Sequence, residues 1–350
     1  MAETMRQIVL AKRPQGEPTL DDFRLEEHPV PACPEGGILV RVLWQSLDPY
    51  MRGRMDESKS YAAAVPVGGR MEAGCVAEVM ESRHQTFRPG DIVEGRFGWG
   101  THAVSDGKGV RKVDPSIAPI QTAVGVLGMP GLTAYVGLLD HGRPKEGETL
   151  VVSAATGAVG SVVGQLGKIH GLRVVGVAGG PDKCAWAVDE LGFDACVDHR
   201  AARDADALGQ ELAAACPDGV DIYFENVGGK TLDAVIPLMN TWGRIPVCGM
   251  ISQYNLGGLG MGGGEGPDRL PRLWRTVLVQ RLTVRGFIIT DHYDRFRDFQ
   301  RDVAGWLRDG RVKYREWVTD GLENAPRAFL QLLKGGNFGK ALVKVAEPRG

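Results

Sequence analysis

The chain has 350 residues, 43% hydrophobic and 24% charged, with 41 basic against 43 acidic side chains and a formal net charge of −2. That is ordinary globular composition with length for two domains, and the near-neutral balance offers no overall field for nucleic acid or an anionic membrane. No apolar run approaches the roughly 20 residues of a bilayer span, and Met1-Ala2-Glu3-Thr4-Met5-Arg6-Gln7 lacks the apolar core of a secretory signal, so a cytoplasmic protein is expected.

From Ile8 to Val113 the sequence predicts short strands separated by turn chemistry, over 37–44, 74–79 and 88–93, which describes a β-rich domain. Between Ala118 and Gly147 the texture changes to Ala, Leu, Gly and Thr with apolar residues at helical spacing, and a second domain begins there. The pattern from Thr149 is the most informative in the chain. Leu150, Val151 and Val152 suit a buried strand, followed by Ala154, Gly157, Gly160 and Gly164. In a dinucleotide-binding turn Gly157 would permit the tight turn, Gly160 the approach of a pyrophosphate to the backbone, and Gly164 the packing of helix on sheet, with alanine at the first position of the usual glycine pattern. Val159, Val162, Val163, Leu166 and Ile169 recur at helical spacing, Gln165 and Lys168 fall off that face, and Gly171 is a left-handed stop. The amides at the helix start would face phosphates.

Further strands are predicted over 173–177, 195–198, 220–224, 244–248 and 282–289 with helices between them, the pattern of an α/β doubly wound parallel sheet. The second of these sheet strands ends at Ala178-Gly179-Gly180, where NAD-binding folds place an Asp or Glu. The two glycines leave room for a 2′-phosphate and Lys183 supplies positive charge, which favours NADPH over NADH. In the competing reading Asp182 reaches the ribose and Lys183 is a solvated surface residue. The stretch 257–266 is too glycine-rich to pack regularly and reads as a mobile loop, either passive or a lid over a ligand. Near the C-terminus a helix over 323–334 and a strand over 340–345 could join either domain.

Cys33, Cys75, Cys184, Cys196, Cys216 and Cys248 include no CxxC pair, and the seven histidines no HExxH. Neither a disulfide framework nor a metal site is expected, and each cysteine is read as a small buried hydrophobe.

Six segments carry a resemblance: Ser46-Leu47-Asp48-Pro49-Tyr50-Met51-Arg52-Gly53-Arg54-Met55, Gly128-Met129-Pro130-Gly131-Leu132-Thr133-Ala134-Tyr135, the glycine turn, Phe224-Glu225-Asn226-Val227-Gly228-Gly229, Cys248-Gly249-Met250-Ile251-Ser252-Gln253-Tyr254-Asn255 and Asn337-Phe338-Gly339-Lys340. On these the chain resembles, over essentially its whole length, the medium-chain dehydrogenase/reductase superfamily. More narrowly, it resembles the zinc-independent NADPH-dependent alkenal/enone double-bond reductases, the prostaglandin reductase and leukotriene B4 12-hydroxydehydrogenase family. The Gly-His-Glu ligand motif and four-cysteine lobe of zinc-dependent relatives do not occur.

The resemblance implies a Rossmann NADPH-binding domain at 129–310 inserted in a GroES-like β-rich domain made of 1–128 and 311–350. It implies a homodimer and a small-molecule enone or enal substrate. The cofactor contacts it implies are Gly157, Ala158, Val159 and Gly160 for the pyrophosphate, Gly179 and Lys183 for the 2′-phosphate, Asn226, the run Cys248, Gly249, Ile251, Ser252 and Tyr254, then Phe287, Ile288 and Ile289, and Asn337. One position departs from the family pattern, since Asp198-His199-Arg200 stands where a tyrosine is usual. His199, if it holds a proton near its ordinary pKa of about 6.5, would add charge there, so that NADPH affinity falls at higher pH and His199→Tyr weakens the dependence; the other reading is a surface histidine. The 257–266 stretch is also richer in glycine than the family pattern.

Reduction of an enone places hydride on the β-carbon and needs a donor for the enolate oxygen that develops. Tyr254 is the expected donor, because a phenol is protonated at neutral pH. Tyr50, which the resemblance places facing the substrate, is either a second donor or a tyrosine packing the domain joint. The competing functions are an NADPH:quinone oxidoreductase and a non-catalytic NADPH-binding protein, with a zinc alcohol dehydrogenase the most remote.

Overall fold

In the computed structural model, which describes residues 4–256 and 269–349, aliphatic and β-branched runs bounded by Gly, Pro and Asp form strands, and stretches with apolar residues three or four apart form helices. The strands are β1 (Thr4–Leu10), β2 (Phe23–Pro29), β3 (Ile38–Ser46), β4 (Gly74–Ser82), β5 (Ile92–Arg96), β6 (His102–Ser105), β7 (Arg111–Lys112), β8 (Thr149–Ser153), β9 (Arg173–Ala178), β10 (Ala195–Asp198), β11 (Val220–Phe224), β12 (Met239–Val247), β13 (Thr283–Gly286), β14 (Glu316–Asp320) and β15 (Lys340–Lys344). The helices are α1 (Met129–Val136), α2 (Gly160–Ile169), α3 (Pro181–Asp189), α4 (Ala205–Ala215), α5 (Gly229–Val235), α6 (Leu270–Gln280), α7 (Phe296–Arg308) and α8 (Ala325–Leu333). Among the described residues no helix is long and apolar enough to cross a membrane.

Two compact units emerge. One takes the described residues of Met1–Gly125, Tyr254–Gly262 and Glu316–Gly350, the other those of Val126–Gln253 and Gly263–Arg315. In the first, a sheet of order β14-β15-β3-β4-β5-β7, with β6 also against β3, accompanies the hairpin β1-β2. The C-terminal strand is therefore part of this sheet: β15 runs antiparallel to β3 with Leu342 opposite Ser46, and β14 parallel to β15. Beneath it Trp99 is fully buried, stacked on Phe23 at 5.6 Å and edge-on to Phe329 at 5.7 Å. Burying aromatic and aliphatic side chains of this size stabilises a fold by about 1.5–3 kcal/mol each. The strand expected over 88–93 begins only at Ile92, because Gly90 takes φ 87 and the Asp91 carboxylate accepts from the Arg88 amide at 2.7 Å, closing a turn first.

In the second unit the all-parallel sheet has order β10-β9-β8-β11-β12-β13, so strand order reverses between β8 and β11. That is the doubly wound arrangement, in which ligands bind beyond the carboxyl ends of the strands at the reversal. β12 starts earlier than the sequence suggested because Trp242, at φ 67, forms an irregularity that shifts its register against β11. The strand expected over 282–289 stops at Gly286, since the Phe287 ring turns into the core against His141 at 4.9 Å and Phe224 at 6.5 Å. Gln165, read as lying off the apolar face of α2, is 3% exposed. Its amide donates to Ser161 O and Lys313 O and accepts from the Lys313 amide at 2.7 Å, so a polar side chain is buried with its bonding satisfied.

Candidate cofactor and substrate site

The turn between β8 and α2 leaves the sheet at Ala154, which adopts φ 50. Ala154, not Gly157, is thus the left-handed residue of the turn, and Gly157 closes it by donating its amide to Ala154 O at 2.9 Å. A Cβ on Gly160 would stand 2.3 Å from Ala154 O, and one on Gly164 would stand 1.9 Å from the Phe193 ring, so neither position accepts a side chain. The amides of Ala158 and Val159 have no protein acceptor among the described residues. Unpaired donors at the start of a ten-residue helix suit a pyrophosphate, and the turn fits that part of a dinucleotide.

At the tips of β9 and β10 the chain gathers cations. The Asp198 carboxylate accepts from the Gly180 amide at 2.8 Å and the Arg200 amide at 2.9 Å, tying the two loops together. Burial works against its charge, but these amides hold Asp198 below the usual carboxylate range. A Cβ on Gly179 would lie 2.8 Å from Arg200 Nε and 3.0 Å from His199 Nε2, so glycine is what leaves this space open. Lys230, from α5, donates to His199 O at 2.6 Å and Ala202 O at 2.9 Å and fixes the loop. Lys183 is held below the usual lysine range by burial and then by the Arg200 charge. Asp182 is exposed in the first turn of α3. A dianionic 2′-phosphate fits this cluster, which includes Arg200 and Lys230, two cations the sequence reading did not single out. Burial, Lys230 and Arg200 push His199 below its ordinary pKa, so it is neutral at pH 7 and its influence on anion binding moves to more acidic solution than expected.

Beyond β11 the buried Glu225 organises the next loop. Its Oε1 accepts from the Val227 amide at 2.6 Å and the Gly228 amide at 2.9 Å, and from Ser153 Oγ at 3.2 Å. Burial raises its pKa, against these bonds. Asn226 donates its side-chain amide to Ser153 O and its backbone amide to Ser153 Oγ, both at 2.8 Å. The amides of Cys248 and Gly249 donate to Glu225 O, Ile251 to Asn226 O, and Ser252 to Val227 O, while Ser252 Oγ donates to the same carbonyl at 2.6 Å. Burial pushes the Cys248 thiol up to about 12. Phe287 is buried, so its backbone is what it can offer a ligand; Ile288 and Ile289 are partly exposed.

Tyr254 follows this run on a short 3-10 turn, Ile251–Leu256, and groups with the first unit, as do Tyr50 and Asn337. Tyr50 sits on the 3-10 segment Pro49–Met55, partly buried, with the Arg54 guanidinium 5.5 Å from its ring and 4.4 Å over that of Tyr61. Burial, and then the Asp48 charge, raise its pKa above the usual phenol value, so it keeps its proton. Asn337 donates to Gly339 O at 2.7 Å. The 257–266 stretch lies outside the described residues. All six cysteines are free. Cys33, Cys75 and Cys216 are buried as expected, whereas Cys184, Cys196 and Cys248 are only partly so, and the first two hydrogen-bond each other. Among the described residues no group of three or more His, Cys, Asp or Glu converges as a metal ligand set.

Residues 6–113 match a family described as the N-terminal domain of oxidoreductase, and residues 158–305 one described as zinc-binding dehydrogenase. The chain is 53% identical over 342 residues to the NADPH-dependent curcumin reductase of Escherichia coli (strain K12), covering 97% of each. It is 41% identical over 339 residues to prostaglandin reductase 1 of Rattus norvegicus, covering 96% of this chain and 97% of that protein. The crystal structure of CurA in complex with NADPH from Vibrio vulnificus aligns with a TM-score of 0.92 at 51% identity, over 98% of this chain and 100% of that one.

Proposed function

The chain belongs to the zinc-independent medium-chain dehydrogenase/reductases that reduce enones with NADPH, and from that premise we propose that it transfers hydride to the β-carbon of an α,β-unsaturated aldehyde or ketone. It is an NADP-dependent oxidoreductase acting on carbon–carbon double bonds. The observation that carries the proposal is the 53% identity, over 97% of both chains, to an NADPH-dependent reductase. NADPH supplies the hydride. In our reading Ala158, Val159 and Gly160 hold the pyrophosphate, Lys183 and Arg200 the 2′-phosphate, and Tyr254 donates to the developing enolate oxygen with Tyr50 beside the substrate. Consumption of NADPH against short alkenals, aryl enones, 15-keto-prostaglandin-like enones and quinones, with product identification, tests it. A saturated carbonyl product is expected; an allylic alcohol, a hydroquinone, or binding without turnover across the panel overturns it.

We also propose a homodimer formed through β13. This strand ends the sheet, all four of its residues are exposed, and α6, which leads into it along the chain, exposes Leu270, Trp274, Leu278 and Val279. An open strand edge next to apolar side chains is satisfied by antiparallel pairing with the same edge of a second copy. Leu278→Asp combined with Val284→Asp is expected to reduce the mass measured by light scattering to that of a single chain with unchanged far-UV circular dichroism. A dimer that persists in this variant counts against β13 as the interface.

A further inference from the structure

Two of the motif segments, Ser46 to Met55 and Asn337 to Lys340, lie far apart in the chain and meet through one buried ion pair. Lys340 Nζ donates to Leu47 O at 2.7 Å and to Asp48 Oδ1 at 2.8 Å, and Ser46 Oγ donates to Asp48 Oδ2. The Leu47 amide donates to Ala341 O at 3.1 Å. Asp48 O then accepts from the Met51 amide at 3.1 Å, within the turn that carries Tyr50. Ser46, Asp48 and Lys340 are 2%, 6% and 5% exposed. Across the β14–β15 register Glu316 stands opposite Lys340, held by Gln121 at 3.1 Å, so the ammonium has carboxylates from two elements around it.

A buried pair of this kind is a poor way to gain stability, because desolvating two charges offsets most of their attraction, and apolar replacements are often neutral or stabilising. What it supplies is direction. Three hydrogen bonds involve residues 46–48 just before Tyr50, and after burial the Asp48 charge is the strongest influence on that phenol.

We propose that Lys340, acting through Asp48, is a positioning residue for the reduction, fixing the orientation of the Tyr50 segment. The inference rests on the reading of Tyr50 as a substrate-facing residue. The test measures kcat and KM for an aryl enone, and the NADPH dissociation constant by fluorescence, in Tyr50→Phe, Lys340→Met, Lys340→Arg and the Tyr50→Phe/Lys340→Met double variant. Since a misplacement of about 1 Å can cost about 100-fold in rate, Lys340→Met is expected to lower kcat by about 10- to 100-fold. NADPH affinity should hold, because nearly all the proposed cofactor contacts come from the other unit. Lys340→Arg should recover most of the rate, and in the Tyr50→Phe background Lys340→Met should cost nothing further. A merely structural lysine would give additive losses, and that result overturns the proposal while leaving the role of Tyr50 intact. An unchanged kcat in Tyr50→Phe overturns the Tyr50 reading and the proposal with it. If Lys340→Met does not fold, Asp48→Asn/Lys340→Met removes both charges together and takes its place in the same comparison.

Discussion

Replacing Lys183 and Arg200 together by alanine is expected to weaken NADPH binding by about 100-fold or more while leaving NADH within about threefold. Hydrogen bonds to charged groups contribute about 1.5–3 kcal/mol each, and every 1.4 kcal/mol is about tenfold in affinity. Arg200 is exposed and solvent screens part of its contribution, so the double variant should fall short of the sum of two full contributions. Burial and the Arg200 charge both disfavour the protonated Lys183, and an incoming dianion offsets them by favouring the charged ammonium. The Asp198 carboxylate is committed to the Gly180 and Arg200 amides, and Asp182 is exposed in the first turn of α3, which leaves Lys183 and Arg200 as the charges proposed to meet a 2′-phosphate. Fluorescence titration with both dinucleotides, and with 2′-AMP against 5′-AMP, reads the effect directly. Equal losses for NADPH and NADH would place these cations outside the 2′-phosphate site.

Much of this architecture could be read from the chain. The strands over 195–198 and 220–224 match residue for residue, because short apolar runs between turn residues have little freedom in where they end. The cation cluster was only half legible. Lys183 stands a few residues from the glycines in sequence, whereas Arg200 and Lys230 come from the end of β10 and from α5, and only the sheet order brings them to the same place. Ala154 was read as a missing glycine, yet it takes the left-handed conformation itself, a strain that the surrounding turn imposes and composition does not announce. The buried bonding of Glu225, named only within a motif, and of Gln165, read as off the apolar face, is illegible for a related reason: a polar residue in an apolar context looks solvent-facing until its acceptors and donors are known. The local pattern of the C-terminal strand lets it join either sheet, since long-range antiparallel pairing leaves no local signature; only the family resemblance assigns it to the β-rich domain, and β15 stands against β3.

Loss of the Tyr254 hydroxyl is expected to lower enone turnover by about 100-fold, the usual consequence of removing one donor from a developing oxyanion. The hydride adds to the β-carbon only as fast as negative charge on the carbonyl oxygen can be accommodated, and a phenol, protonated at neutral pH, offers a donor without needing a charged group in an apolar pocket. Tyr254→Phe keeps the ring and the backbone and removes only the donor, so the NADPH dissociation constant should change by less than about twofold while kcat carries the loss. Tyr50→Phe makes the contrast informative. Burial and the Asp48 charge hold the Tyr50 proton more firmly than usual, which makes that phenol a weaker acid than an ordinary one and suits it to orienting a carbonyl more than to releasing a proton. The Tyr254 variant should therefore lose more turnover than the Tyr50 variant. If Tyr254→Phe retains full turnover, the proton must reach the α-carbon side from water or from a ribose hydroxyl of the cofactor, and the tyrosine is left with packing alone.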